Sequence, residues 1–246
     1  MDKISGPIKG IIFDLGGTLI EITRQWDDII REGAEAMTNW YLKKRRIKLD
    51  SEALIDAFIE ERYHACQTAR TTQTEISAQD SLRRALKRIQ APASAEAVVE
   101  GAVKVFFSPE EAAYQLFPDA IDTIKTLKAQ GCRLGLYSNA TDDKLVQRLI
   151  NRNGLRPYLS PTFSSAGCGW RKPKPEPFSL IAQRWNLPAA QVAVVGDTVG
   201  ADILGAQNAG MAGILIQRDS QAAPGPIQPA ATINQLAELI SLIRPA

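Results

Sequence analysis

The spacing of apolar residues changes near Gln115 of the 246-residue chain, and this change limits the fold more than any other feature. From Arg24 to about Gln115 they recur every three or four positions. Trp26, Ile30, Ala34, Met37 and Tyr41 make one such stripe, as in an amphipathic helix. Asp50-Ser51 offers a second helix start, and Leu54, Ile55, Phe58 and Ile59 continue the period. Two more helices are expected at Ser77–Ile89 and Ser94–Phe107, divided by Ala91-Pro92. Ser108-Pro109-Glu110-Glu111 opens another, with a cap residue, a proline at the first position and acids in the first turn. After Gln115, strands alternate with helices. A helix at Asp119–Gln130 stops at Gly131, followed by strand Arg133–Tyr137, helix Asp142–Asn153 and, beyond a Pro-rich loop, helix Pro177–Trp185. Strand Gln191–Val195, helix Ala201–Ala209 and strand Gly213–Gln217 follow; a loose segment, Ala222–Ala231, then leads to a helix near Ile233–Ile243. Such alternation predicts a parallel sheet covered on both faces.

One further strand lies ahead of the helical stretch, in Lys9–Leu19, KGIIFDLGGTL. Ile11–Phe13 is too short for a helix and reads as a buried strand, so the helices form an insertion. Asp14 falls at its carboxyl end, the edge where open α/β sheets bind ligands, and the glycines allow a close backbone approach. Taken alone, the stretch is equally an ordinary turn after a core strand. Three other strand ends carry complementary chemistry. Ser138-Asn139 follows LGLY, and Lys172 lies in GWRKPKPEPF after a possible short strand at Thr162–Ser164. Gly196-Asp197 follows VAVV, with Asp202 five residues on. A parallel sheet brings these ends to one edge, so three carboxylates, one ammonium and two small hydrogen-bonding side chains converge. The carboxylates repel one another and call for a cation. Oxygen-only ligation with few acids suits Mg²⁺, which keeps several waters and favours phosphate ligands. A lysine beside it is a point charge for phosphate or for a nucleophilic carboxylate. The set points to phosphoryl chemistry through a carboxylate nucleophile.

Composition excludes several alternatives. With 45% hydrophobic and 23% charged residues the chain is ordinarily globular. Its +2 charge, 29 basic against 27 acidic residues, makes no field to recruit nucleic acid or a membrane surface. His64 is the one histidine, so a histidine-rich zinc site is absent; a Ser-His-Asp triad would need it, and there is no G-x-S-x-G elbow. Cys66, Cys132 and Cys168 are widely spaced and suggest neither a disulfide framework nor a metal site. MDKISGPIKG has no signal-peptide character, and no apolar run approaches the ~20 residues of a membrane helix, so a cytoplasmic protein is expected. Lys43-Lys44-Arg45-Arg46 is read as a solvated helix end. Trp26 and Arg24 are candidates for the site because they follow the Asp14 loop closely.

The ordered set FDLGGT, Ser138-Asn139, Lys172-Pro173 and Gly196-Asp197 with Asp202, together with GADILGAQNAGM, resembles the haloacid dehalogenase (HAD) superfamily over roughly Lys9 to Ile243. The resemblance implies an α/β fold, with a Rossmann-like parallel core from residues 1–20 and 116–246 and an inserted α-helical bundle cap at 21–115. Asp14 would be the nucleophile and form an aspartyl-phosphate. Asp14, the Gly16 carbonyl and Asp197 would hold Mg²⁺, with Asp202 ligating directly or through water. Ser138 and Lys172 would hold the phosphoryl oxygens, with Asn139 on the substrate side, and Thr18 would fix the first loop beside the substrate. The implied activity is a Mg²⁺-dependent phosphatase of a small phosphorylated metabolite. One position departs from the pattern. The family's phosphatases carry a second acid two residues after the nucleophile, and here that position is Gly16. General acid–base help, worth ~10²–10⁴-fold, then has to come from the cap or from water. The departure leaves room for phosphonatase-like or dehalogenase-like chemistry, or for a non-catalytic phosphate- or metal-binding role.

Overall fold

Gly10–Phe13 forms strand β1, buried at all four positions, and it sits in the middle of the sheet. The computed structural model describes residues 6–218 and 225–243, so residues 1–5 of the amino-terminal stretch and 222–224 of the loose segment lie outside it. After β1 come β2 (Ile20–Ile22), helices α1 (Trp26–Arg45), α2 (Ser51–Thr72), α3 (Ala78–Arg88), α4 (Glu96–Phe106) and α5 (Ser108–Ala113), and β3 (Tyr114–Leu116). The remainder alternates: α6 (Ala120–Ala129), β4 (Arg133–Ser138), α7 (Asp143–Arg152), β5 (Thr162–Ser164), α8 (Ser165–Cys168), α9 (Glu176–Trp185), β6 (Val192–Gly196), α10 (Leu204–Asn208), β7 (Ala212–Ile216), β8 (Ala231–Ile233) and α11 (Leu239–Leu242).

Six strands pair in the order β5-β4-β1-β6-β7-β8, every pairing parallel. From β1 the chain goes first to β4 on one side, then returns to β6 on the other. The carboxyl end of β1 is therefore the point where the connections diverge, the usual crevice of such sheets. Alternate residues face opposite sides. Ile11, Phe13, Leu134, Leu136 and Val195 join the core beneath α6 and α7, while Ile12, Tyr137, Val192 and Val194 pack with Phe178, Ile181 and Trp185 of α9. Burying each large side chain contributes about 1.5–3 kcal/mol, so both faces are needed to hold β1 straight.

In the helical block α1 packs on α4 and α2, and α2 on α3. Ala34, Met37 and Tyr41 of the predicted stripe are buried, and Phe58 meets Phe106 edge-on at 5.0 Å. The basic run ends α1, with Arg46 in the left-handed cap position, as expected of a solvated helix end. His64 is exposed. Arg24 turns aside to Glu32 at 2.6 Å, both half-exposed, so it does not serve the site. Among the described residues no helix is long and apolar enough to cross a membrane.

Three expectations need correction. The helical reading continued to Gln115, but β2 and β3 pair as an antiparallel ribbon, Ile20 opposite Leu116 and Ile22 opposite Tyr114. Each is too short to show a period, and its partner lies at the far end of the insertion. Both expected domain boundaries fall inside this ribbon. The last helix does not begin at Ile233. Ala231–Ile233 instead pairs with β7, and the helical residues start after it, consistent with the β-branched Thr232-Ile233. The helix expected at Ala201–Ala209 opens two residues earlier as a wider π-turn, Val199–Ile203, in which the Asp202 carboxylate accepts a hydrogen bond from the Thr198 amide at 3.0 Å.

The helical block is held at a second place. Backbone bonds run from Glu75 to the Gly169 carbonyl (2.9 Å), from Arg171 to Gln73 (2.9 Å) and from Ala78 to Thr141 (2.8 Å). The buried Glu75 carboxylate accepts from the Ser165 hydroxyl at 2.5 Å and from Arg171 at 2.6 Å. Asp142 joins the same seam, capping α7 at the Leu145 amide (2.9 Å) and accepting from Gln79 of α3 (2.8 Å). Asp142→Ala removes a cap and leaves the Gln79 amide unpaired, so it should destabilise the fold by about 1–3 kcal/mol. Denaturant melts of the two proteins check this; equal midpoints would show that the seam contributes nothing.

Candidate active site

Asp14 leaves β1 with its amide bonded to the Val195 carbonyl at 2.9 Å, which fixes the turn beside β6. Its carboxylate accepts from the Lys172 ammonium at 2.6 Å, and the same ammonium donates to Asp202 at 2.6 Å. Lys172 is buried and rests over the Tyr137 ring, 5.7 Å from its centroid. Burial pushes the ammonium down, but Asp14 and Asp202 outweigh it and hold the group above its ordinary value. Burial, opposed by Lys172 and reinforced by Asp14, pushes Asp202 up. Burial, then the Asp14 charge, does the same for Asp197. Oxygens of Asp14, Asp197 and Asp202 all lie within 4.8 Å of one another. Three carboxylates face one ammonium, an excess of negative charge that suits a hard divalent cation.

Two glycines make this crowding possible. A Cβ on Gly196 would fall 2.2 Å from the Asp202 carboxyl carbon, so only glycine lets that carboxylate lie under the end of β6. Gly17 has φ +77°, and a Cβ there would come 2.4 Å from an Asp197 oxygen. The GG and GD pairs in the sequence are thus the spaces into which the acids fit.

The predicted residues divide into two groups. Asp14, Gly16, Ser138, Asn139, Lys172, Asp197 and Asp202 all line one cavity of about 880 Å³ between the sheet edge and the helical block. Asn139 spends both ends of its amide on the Lys172 backbone, accepting from the amide at 2.8 Å and donating to the carbonyl at 3.3 Å. Its position is that of a brace for Lys172. Thr18 is fully buried outside the cavity lining; its hydroxyl has no hydrogen-bond partner among the described residues, and its carbonyl accepts from Arg218 at 3.1 Å. That carbonyl contact holds the loop from behind, away from any substrate in the cavity.

The opposite wall comes from residues that sequence reasoning did not single out for the site. Trp26 was the exception, and it lines the cavity. Arg62, Glu110 and Tyr114 join it there. The Tyr114 hydroxyl lies 3.6 Å from where a Gly16 Cβ would point, in the space the family's second acid would enter. Burial pushes the Tyr114 phenol well above its ordinary range, with Glu110 and Asp14 adding to it. Burial also raises Glu110 to about 7, partly offset by Arg62 and reinforced by Asp142. Glu110 stands in the first turn of α5, the helix-start position its sequence context predicts. Nothing local could show that the tertiary fold buries it.

The chain's membership follows from comparison as well as geometry. The family model of haloacid dehalogenase-like hydrolases matches residues 8–210, and the chain belongs to that family. Among known proteins, it is 26% identical over 211 residues to a glyceraldehyde 3-phosphate phosphatase of Methanopyrus kandleri, covering 86% of this chain and 84% of that one. A glyceraldehyde 3-phosphate phosphatase of Methanothermobacter thermautotrophicus is 34% identical over 103 residues, 42% of this chain; the match spans under half, 45%, of that protein. Among solved structures, a 2-haloacid dehalogenase of Pseudomonas syringae pv. Tomato DC3000 superposes with a TM-score of 0.69 at 25% identity, over 96% of this chain and 97% of that one.

Glu110 yields a pH prediction. Its folded value of about 7 lies above the unfolded 4.5, so between these the native protein holds a proton that the unfolded chain has released. The associated stability is present below that window and is lost as pH rises through it, on the order of 3 kcal/mol in total. Glu110→Gln removes the dependence, so the variant should gain on the parent between about pH 5 and about pH 8. Denaturant unfolding at both pH values measures it; parallel stability curves would contradict the assignment.

Proposed function

We propose that this hydrolase is a Mg²⁺-dependent phosphatase of small phosphorylated metabolites, acting through an aspartyl-phosphate at Asp14. The observation that carries the reading is the cluster itself. Asp14 ends the central strand, faces the cavity, and shares Lys172 with Asp202 while Asp197 stands beside it. In the proposed step an Asp14 carboxylate oxygen attacks phosphorus and the bond from phosphorus to the ester oxygen breaks. The departing oxygen would take its proton from water, since Gly16 offers no acid; a second water would then attack the same phosphorus, break its bond to the Asp14 oxygen, release inorganic phosphate and return the carboxylate. Lys172 and Ser138 would hold the phosphoryl oxygens, with Asn139 keeping the lysine in register. Mg²⁺, held by Asp14, the Gly16 carbonyl, Asp197 and Asp202, would neutralise charge on the transferring group. The helical residues 21–115 would act as a cap, shutting water from the cavity and selecting the substrate.

The relatives named as phosphatases support this reading. The dehalogenase structure keeps a second reading in view, since that chemistry also lacks the second acid. Dehalogenases of the family use no metal, and the acid pair Asp197 and Asp202, with the two glycines that seat them, favours the metal-dependent route.

Metal binding is checked by titrating Mg²⁺ against the parent and Asp197→Asn. The variant should bind at least ~10-fold more weakly, and equal affinity would remove Asp197 from the metal site.

Gly16→Asp tests the missing acid. Gly16 does not occupy the left-handed region, and a Cβ there meets only the Tyr114 hydroxyl at 3.6 Å, so aspartate fits. Hydrolysis of alkyl phosphates, whose leaving groups need a proton, should rise by ~10²-fold. Acyl phosphates, with better leaving groups, should gain less. No gain on either, with fold and Mg²⁺ binding intact, would point to a different chemistry.

A further inference from the structure

The cavity wall opposite the acids carries a cation that makes no ion pair among the described residues. Arg62, on α2, stacks its guanidinium over Phe106 (4.6 Å to the ring centroid), Phe107 (5.3 Å) and Phe58 (5.9 Å). It donates one hydrogen bond, to the Thr141 hydroxyl at 3.0 Å. Among the described residues it makes no other hydrogen bond and no ion pair, although a guanidinium has five donors. Its remaining N–H groups are not sealed inside the protein. Arg62 lines the cavity, and none of its nitrogens is among the fully buried unpaired atoms. Glu110 is the charge that acts on it most strongly, followed by the Cys66 thiol, Glu75 and Asp142. Burial pushes the Glu110 carboxyl up, which weakens it as a counter-charge. Arg62 is half-buried against the rings, and that burial weakens the guanidinium's hold on its proton. An anion entering from the cavity would meet the free N–H groups of the guanidinium.

We propose that Arg62 anchors a second anionic group on the substrate, so that this enzyme acts on small phosphorylated acids, a phosphate ester carrying a carboxylate or a second phosphate a few atoms away. The proposal rests on the phosphatase reading for the reacting end of the molecule. Distance supports it. Thr141, which holds Arg62, follows Ser138 by three residues, at most about 10 Å of extended chain. The limit keeps the segment that carries Ser138 and the one that holds the guanidinium close together, so a small metabolite of two to four carbons is the scale of substrate to test. The planar fork of arginine suits a carboxylate or phosphate in two-point contact, and the aromatic rings around it limit where it can sit.

The test compares phosphoglycolate with its uncharged carboxamide, the same size but lacking the second charge. With Mg²⁺ present, kcat/KM of the parent should favour the acid by ~10-fold or more, the scale of a charge-assisted contact. Arg62→Met should erase most of that preference, chiefly through KM, and Arg62→Lys should keep part of it. Replacing a buried cation by a residue of similar volume often leaves folding intact, and Arg62→Lys gives a second readout if it does not. Ethylene glycol bisphosphate in place of phosphoglycolate tells a phosphate anchor from a carboxylate anchor. An unchanged acid-to-amide ratio in both variants would overturn the proposal while leaving the phosphatase reading standing. Calorimetric binding of both probes to Asp14→Asn, with and without Arg62→Met, covers the reverse case. Charge preference there that Arg62→Met removes, with no turnover by the parent, would keep the anchor and sink the phosphatase reading.

Discussion

The Lys172 ammonium, caught between Asp14 and Asp202 at 2.6 Å from each, is the contact on which the rest of the site depends. Without it three carboxylates would crowd the end of one sheet with no protein cation among them. Much of the surrounding structure keeps this ammonium in place. β1 and β6 are adjacent in the sheet, which brings Asp14 and the Asp197–Asp202 loop side by side. Asn139 clamps the lysine's backbone from the next strand, and the Tyr137 ring floors its side chain. Gly196 and Gly17 remove the two Cβ atoms that would block the acids. A buried ion pair of this kind adds little net stability over an apolar substitute, so its charge is better understood as serving chemistry.

The helical block meets this centre from one side only, yet it is tied down twice. The β2–β3 ribbon carries both chain crossings, and the seam from Glu75 to Thr141 closes the other end. Between the two lies the cavity, with acids on the sheet side and Arg62, Glu110 and Tyr114 on the helical side. The division suggests separate duties: the sheet edge handles phosphorus, while the helices judge the remainder of the substrate. Opening would have to break the seam, where Glu75, Ser165 and Arg171 share one buried carboxylate, and would pivot on the ribbon.

Much of this was legible in the sequence because parallel sheets obey a strong rule. Once the strands were recognised by their short apolar runs, their carboxyl ends had to meet, and Asp14, Ser138, Lys172 and Asp197 met with them. Gly16 showed at once what was missing. The β2–β3 ribbon was hidden because two three-residue strands about ninety residues apart leave no local pattern. Arg62 and Glu110 were hidden for another reason. Each sits on a helix and looks like a solvated charge, and its burial exists only once the helices pack. Thr18 and Asn139 were recognised as belonging to the site, but only the hydrogen bonds around them showed that they brace it from behind.

The central claim is that the phosphoryl group passes through a covalent bond to Asp14. Two displacements at phosphorus give net retention of configuration, whereas direct attack by water gives inversion. The stereochemical course of hydrolysis of a chiral thiophosphate ester by the Mg²⁺-loaded enzyme therefore decides the matter. Retention is the predicted result; inversion would contradict the account.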